Sequence, residues 1–334
     1  MAVSRSAMRQ TFIVAWRTRV AHSSAVCYCG GVMHIPDGYL SPAVSGVLGA
    51  ASLAGAGAAA RRASQSLEES RVPLMGMAGA FVFAAQMINF PVAAGASGHL
   101  LGGALLAITL GTAPAVVVMT AILAIQALLF QDGGVLALGA NVFNMALAGV
   151  AAGGWAWQAF GSLRRRRSAA FAAGALSAFV AACLALAELA LSGIRIPPPA
   201  LAVALGIFGL TALLEGAITA AVVAALESVQ PGLLERAHGS PRRALSGLLL
   251  ASLVLAAAGF LAASSLPDGL EHLAEALGIT ELERTVLASP MPDYEAKWLP
   301  SDWLQKAGAG LLGLAVTAAV CWAAGRWISR WRSA

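Results

Sequence analysis

The sequence predicts an all-α, polytopic membrane fold in which seven apolar helices are followed by two more. Three observations predict it. Of 334 residues, 59% are hydrophobic and 11% are charged, about half the charged share of a soluble domain. Apolar stretches of about 20 residues recur, the length that spans a hydrocarbon core of roughly 30 Å. The basic residues gather in short clusters between those stretches, as loops on the cytoplasmic side of a membrane do. The formal charge of +5 therefore reports topology, and nucleic acid is excluded as a partner. Ala, Gly and Leu dominate the apolar runs, which suits helices that pack closely in lipid.

Taken in order, the predicted spans are 42–60, 72–89, 99–110, 113–130, 137–158, 168–192, 199–227, 244–263 and 307–328. Pro73, Pro114 and Pro199 fall at or near span starts, where a missing N–H costs nothing. The third span is short and opens in a Gly-rich loop, which predicts a partial or tilted crossing. Arg61, Arg62 and Arg71 follow the first span, Arg164 to Arg167 the fifth, and Arg236, Arg242 and Arg243 the seventh. Arg326, Arg330 and Arg332 close the chain. With nine spans all these arginines share one side, the cytoplasm; with eight they do not. The other side then carries the segment before residue 42, loop 90–98, Asp132, loop 193–198 and the long acidic loop 264–306. A basic hinge at 231–243 separates the first seven spans from the last two, giving units at 33–230 and 244–330. Residues 1–32 hold four arginines and no acid, and their apolar run Phe12–Trp16 is short for a signal-peptide core. They read as a leader, or as an extension ahead of a translation start at Met33. The four cysteines (Cys27, Cys29, Cys183, Cys321) form no disulfide framework.

Chemistry is carried by few residues. Of five histidines, His34 and His99 fall in extracytoplasmic loops beside spans. If the chain starts at Met33, its α-amino group, the His34 amide nitrogen and the His34 Nδ1 can bind one ion through unstrained five- and six-membered chelate rings. A nitrogen from His99 would complete a square plane, and tetragonal nitrogen coordination favours Ni(II) or Cu(II).

The run Met33-His34-Ile35-Pro36-Asp37-Gly38 resembles the N-terminus of the CbiM/NikM family, the substrate-capture subunits of cobalt and nickel energy-coupling factor transporters. Ser97-Gly98-His99-Leu100-Leu101-Gly102-Gly103 is similar to that family's second metal-ligand segment. Gln126 to Gly134 and Asn141-Val142-Phe143-Asn144-Met145 resemble its later signatures, so the likeness covers about residues 33–227. Pro267-Asp268-Gly269-Leu270-Glu271, with Pro292-Asp293-Tyr294 further along, resembles the PDGLE domain found fused to or beside nickel-type members, which favours nickel over cobalt. The resemblance implies a seven-helix metal-capture module, a two-helix accessory module, and Met33, His34 and His99 as the metal ligands. It also implies Ni(II) or Co(II) as transported substrate, no organic cofactor, and a bacterial inner-membrane location with the C-terminus cytoplasmic. The implied partners are a transmembrane coupling subunit and cytoplasmic ABC ATPases, with membrane lipid around them.

Other polar residues have weaker readings. Asn89 and Asn144 flank the loop segments and are candidates to support the metal loop, as residues behind the ligands do elsewhere. Glu215 lies within the seventh span, where an ionisable group is a functional candidate or a structural partner of its neighbours. Gly308-Ala309-Gly310-Leu311-Leu312-Gly313 matches G-x-G-x-x-G but opens a membrane span without a preceding strand, so helix packing accounts for it. No P-loop motif occurs in the sequence, so ATP must be hydrolysed elsewhere. A gradient-driven divalent-metal transporter is the alternative, and it would favour several carboxylates lining a path. An enzyme would need a cluster of acid, base or nucleophile that the sequence does not assemble.

Overall fold

The computed structural model describes residues 34–93, 95–161, 165–234 and 241–331. Helix α1 (Pro42–Ser66) opens on Ser41, whose side chain accepts from Val44 N–H, with Pro42 in the first turn, the usual pairing of an N-cap hydroxyl and an N1 proline. Helix α2 (Val72–Gln86) leads into a two-stranded antiparallel hairpin, β1 (Phe90–Ala93) and β2 (Ala96–Gly98). Next come α3 (Gly103–Leu110) and α4 (Thr112–Phe130), whose last turn, from Gln126, is π-helical. Helix α5 runs through Leu138–Asn141, a π-helical Val142–Gly149 and Val150–Phe160. Helices α6 (Arg166–Leu191), α7 (Pro198–Val229) and α8 (Arg242–Ala258) follow. A short amphipathic helix α9 (Gly269–Leu277) and the long α10 (Asp302–Arg330) complete the chain.

Among the described residues every predicted span carries a helix, and six helices are long and apolar enough to cross a membrane unaided. The chain is an all-α, multi-pass membrane protein. The short helices have a physical reason. All eight residues of α3 are buried, and most of α2 is, so neither has to match the bilayer thickness. By contrast α1 buries only Ser52, Ala59 and Ala63 and leaves the rest of its apolar surface open. The third predicted span begins at Gly103 rather than 99, because residues 99–102 form no regular structure and Gly102, at φ +76°, is left-handed. The second ends at Gln86 rather than 89, because the chain turns into β1 there.

Helices α6 and α7 pack along each other most extensively, and α8 and α10 both seat on α2. Glycine makes these approaches possible. A Cβ on Gly174 of α6 would stand 2.7 Å from Thr219 Oγ1 and 2.8 Å from the Glu215 carbonyl of α7. One on Gly79 of α2 would stand 2.8 Å from Cys321 Sγ of α10. Small-residue contacts of this kind replace the hydrophobic drive that is missing between helices in lipid.

At one end of the bundle, loops 34–41, 89–102, 131–137 and 262–301 converge. The acidic loop is ordered by its own caps: Asp268 accepts from the Leu270 and Glu271 N–H groups, Glu271 reaches back to the Asp268 N–H, and Gly278 ends α9 at φ +68°. From α9 the chain crosses the loop ahead of α1, where Arg284 N–H donates to the Asp37 carbonyl at 2.9 Å. It then reaches the end of α4, where Met291 N–H donates to the Leu129 carbonyl at 3.0 Å.

Candidate metal centre

The segment from His34 is held by main-chain recognition. Asn141 accepts from Ile35 N–H at 2.8 Å and donates to the Ile35 carbonyl at 3.1 Å. That two-point grip on the main chain of Ile35, across its two flanking peptide units, fixes the residue next to His34. The Asp37 carboxylate accepts from the N–H groups of Val135, Leu136 and Ala137, capping the start of α5 from another segment. Gly38 has φ +100° and lies directly under the Leu282 carbonyl, so only glycine fits there.

The segment with His99 leaves β2 and enters α3. Gln86 donates to the Leu101 carbonyl at 2.7 Å. Glu215 of α7 takes the Leu101 and Gly102 N–H groups on its two carboxylate oxygens, at 2.7 and 2.9 Å. Glu215 is thus an anchor for this loop, which resolves its two readings in favour of a structural partner. On the outer side Ser97 pairs with the PDGLE segment, through its N–H to the Pro267 carbonyl and its hydroxyl to the Leu266 carbonyl.

These two anchored loops bring His34 and His99 together. Both rings are buried, at 3% and 1% exposure, and they stack with centroids 5.8 Å apart and planes 26° apart. His99 Nδ1 lies 2.7 Å from the Leu100 carbonyl. A carbonyl only accepts, so Nδ1 carries the proton and the Nε2 lone pair is left free. That Nε2 is buried without a hydrogen-bond partner, as is the Nε2 of His34. Buried polar atoms are otherwise almost always paired. Burial and the neighbouring His34 push the His99 pKa down to about 4 against the pull of Asp132, which keeps its lone pair available.

Asp132 is the third member. Its Oδ1 stands 2.9 Å from His34 Nδ1, and its Oδ2 accepts from the Tyr294 hydroxyl. Burial acts to raise this carboxyl, but the neighbouring His34 and the Tyr294 hydroxyl outweigh it and hold it below the usual carboxylate range. Among the described residues no three His, Cys, Asp or Glu side chains are grouped closely enough to hold a metal ion.

Of the residues singled out in the sequence, His34 and His99 meet, and Met33 lies outside the described residues. Asn144 is buried and donates to Glu188 at 2.9 Å, while the Asn89 carbonyl accepts from Ser264 N–H at 2.7 Å. The asparagine that grips the His34 loop is Asn141, one turn before Asn144. Asp132 and Gln86 carry no site reading in the sequence, whereas Gln126 and Asn141 read there as polar residues that either support the metal loop or hydrogen-bond between helices. The one available signal for Asp132 is that it stands, with Gln126, within the conspicuous Gln126–Gly134 run.

Fold and site together define a multi-pass helical membrane protein that buries two facing imidazoles and a carboxylate beneath converging loops at one end of its bundle. The family described as "Cobalt uptake substrate-specific transmembrane region", CbiM, matches residues 34–233, and the PDGLE domain matches residues 242–330. The chain belongs to the CbiM family, carrying a PDGLE domain behind it. It is 33% identical over 303 residues to a putative fused nickel transport protein of Archaeoglobus fulgidus, covering 88% of this chain and 99% of that one. A fused nickel transport protein of Rhodobacter capsulatus is 32% identical, with 86% and 95% covered. A cobalt transport protein of Thermosediminibacter oceani is 43% identical over 110 residues, 33% of this chain and 45% of that one. A solved truncated transition metal transporter superposes with a TM-score of 0.52 at 34% identity, covering 61% of this chain and all of the other.

Proposed function

We propose that this chain is the substrate-capture component of an importer for Ni(II) or Co(II), with nickel favoured. The observation that carries the reading is the buried pair of stacked imidazoles, in which His99 Nε2 has no hydrogen-bond partner and His34 Nδ1 faces the Asp132 carboxylate. The capture ligands are the Met33 amine, the His34 amide nitrogen and Nδ1, and a His99 nitrogen. A divalent ion bound to an ionised amide has one unit of positive charge left over, and burying that charge alone is costly. Asp132, 2.9 Å from His34 Nδ1, neutralises it. The fused nickel relatives share both the CbiM-type and PDGLE-type parts, which supports the preference for nickel.

Uptake requires the ion to leave on the opposite side. The resemblance to the energy-coupling factor family, with no P-loop in this sequence, supports cytoplasmic ABC ATPases acting through a membrane coupling subunit as the energy source. The converging loops then face the outside of the inner membrane, and the arginine-rich ends face the cytoplasm. The intramembrane carboxylates do not favour a gradient-driven carrier. Glu215 is occupied by two backbone N–H groups, and Glu188 by Asn144.

The test is intact-mass measurement of the purified N-terminus with bound metal quantified in the same sample. The expected result is a chain beginning at Met33 with one equivalent of nickel or cobalt. A chain beginning at Met1 that still holds metal tightly would remove the amine from the ligand set.

A further inference from the structure

The two ligand loops are joined by a polar chain that passes through a residue of the PDGLE module. Tyr294 donates its hydroxyl proton to Asp132, which faces His34. The same hydroxyl accepts from Gln126 Nε2 at 3.1 Å. Gln126 Nε2 also donates to Gln86 Oε1 at 3.0 Å, and Gln86 Nε2 reaches the Leu101 carbonyl, two residues past His99. The Tyr294 ring is fixed independently, stacked on Phe130 with centroids 4.6 Å apart and planes 15° apart.

The backbone is bent to make this contact. Asp293 and Tyr294 both lie in the left-handed region, at φ 60° and 57°, and Gln131, next to Asp132, lies there at φ 58°. A bulky residue at positive φ is a genuine outlier, and such strain persists where the surroundings over-determine it, commonly at functional sites. Both sides of the Asp132–Tyr294 contact therefore adopt unfavourable turns that aim one group at the other.

We infer that Tyr294 is a positioning residue for metal capture: acting through Asp132 and Gln126, it sets the Asp132 carboxylate against His34 and ties that loop to the loop of His99. The inference rests on the ligand assignment proposed above. It gives the PDGLE module a defined chemical task, the supply of one hydroxyl that orients the carboxylate beside the ion.

The experiment is a double-mutant cycle in the full chain, titrated with Ni(II) alone and followed by the d–d absorption of the bound ion. Tyr294→Phe keeps the ring stack and removes only the hydroxyl. Tyr294→Phe and Asp132→Asn should each weaken Ni(II) binding, by about 10- to 100-fold, the cost typical of removing a group behind a ligand. The double variant should bind no more weakly than Asp132→Asn alone, because both changes break one contact. The absorption band should shift in Tyr294→Phe, a change in the ion's surroundings that a loss of stability alone would not produce. Wild-type affinity in Tyr294→Phe, or losses that simply multiply, would overturn the inference. Should Tyr294→Phe show no cooperative thermal transition, Gln126→Met replaces it in the same cycle, since Gln126 feeds the same hydroxyl. His99→Ala separates the two levels. If it binds Ni(II) like wild type, the ligand assignment fails; if it loses Ni(II) while Tyr294→Phe does not, only the role of Tyr294 fails.

Discussion

His99 is made available by what surrounds it. Its Nδ1 proton is committed to the Leu100 carbonyl, and the peptide units that follow are committed to Glu215 and Gln86. Glu215 is the residue to change. A glutamine there offers one acceptor and two donors, so one of the Leu101 and Gly102 N–H groups would meet an N–H instead of an oxygen. Losing one charge-assisted bond and leaving a buried donor unpaired costs about 1–3 kcal/mol. Glu215→Gln should lower the thermal midpoint and weaken Ni(II) binding together. Equal affinity in the variant would mean that the Leu101–Gly102 clamp does not set the position of His99. Asn141 works by the same logic on the other loop, giving both an acceptor and a donor to Ile35. Sequence reading could find histidines with metal-ligand neighbours. It could not tell which of several asparagines faces Ile35, since Asn141 and Asn144 share one helix and only the π-helical stretch there decides which way each points.

Among the elements, the segment from α9 to α10 has a pH response that follows from its burial of acids. Burial raises the Asp293 carboxyl to about 6, against the attraction of Lys297 and with help from Glu295, Glu283 and Asp132. Burial likewise raises Glu283. A carboxyl whose folded value is raised favours the docked segment while it is protonated, and that contribution is lost as pH climbs through the folded value. Asp132 is shifted the other way, so its contribution changes only below the ordinary carboxylate range. Docking of residues 282–294 should therefore weaken as pH rises from about 4, the ordinary carboxylate value, to about 6, the value of Asp293 in the fold. Hydrogen exchange at the Arg284 and Met291 amides, corrected for intrinsic rates, reads this directly. Greater protection at the higher pH would contradict it. The elements themselves were largely legible. Each predicted span has its helix, because about 20 apolar residues in lipid have almost no alternative that satisfies the backbone. The hairpin 90–98 and the amphipathic α9 were hidden within loops, where local pattern is short and the pairing partners, such as Ser97 with Pro267, are far away in sequence.

The whole molecule is organised around one interface, where α8 and α10 seat on α2 and the aromatic group Phe83, Phe130 and Tyr294 lies above Gly313. A Cβ on Gly313 would collide with Phe83 and stand 2.7 Å from Phe130 Cζ. Gly313→Leu should cost about 1–3 kcal/mol by overpacking, and it should also displace the ring on which Tyr294 stacks. A variant that keeps its thermal midpoint but loses Ni(II) affinity would show that the interface acts on the site more than on the fold. Unchanged values for both would mean that α10 slides without consequence.

The membrane class, the places of the helices and the two histidines worth watching were already in the sequence. Those depend on composition, run length and short motifs, all properties of neighbouring residues. Only the tertiary structure decided that Asp132 faces His34, that Glu215 and Gln86 clamp the loop of His99, and that Tyr294 of the second module reaches Asp132 across 162 positions of sequence. The reason is physical. A buried polar group is satisfied by whichever partner packing brings within 3 Å or so, and separation along the chain carries no record of that choice.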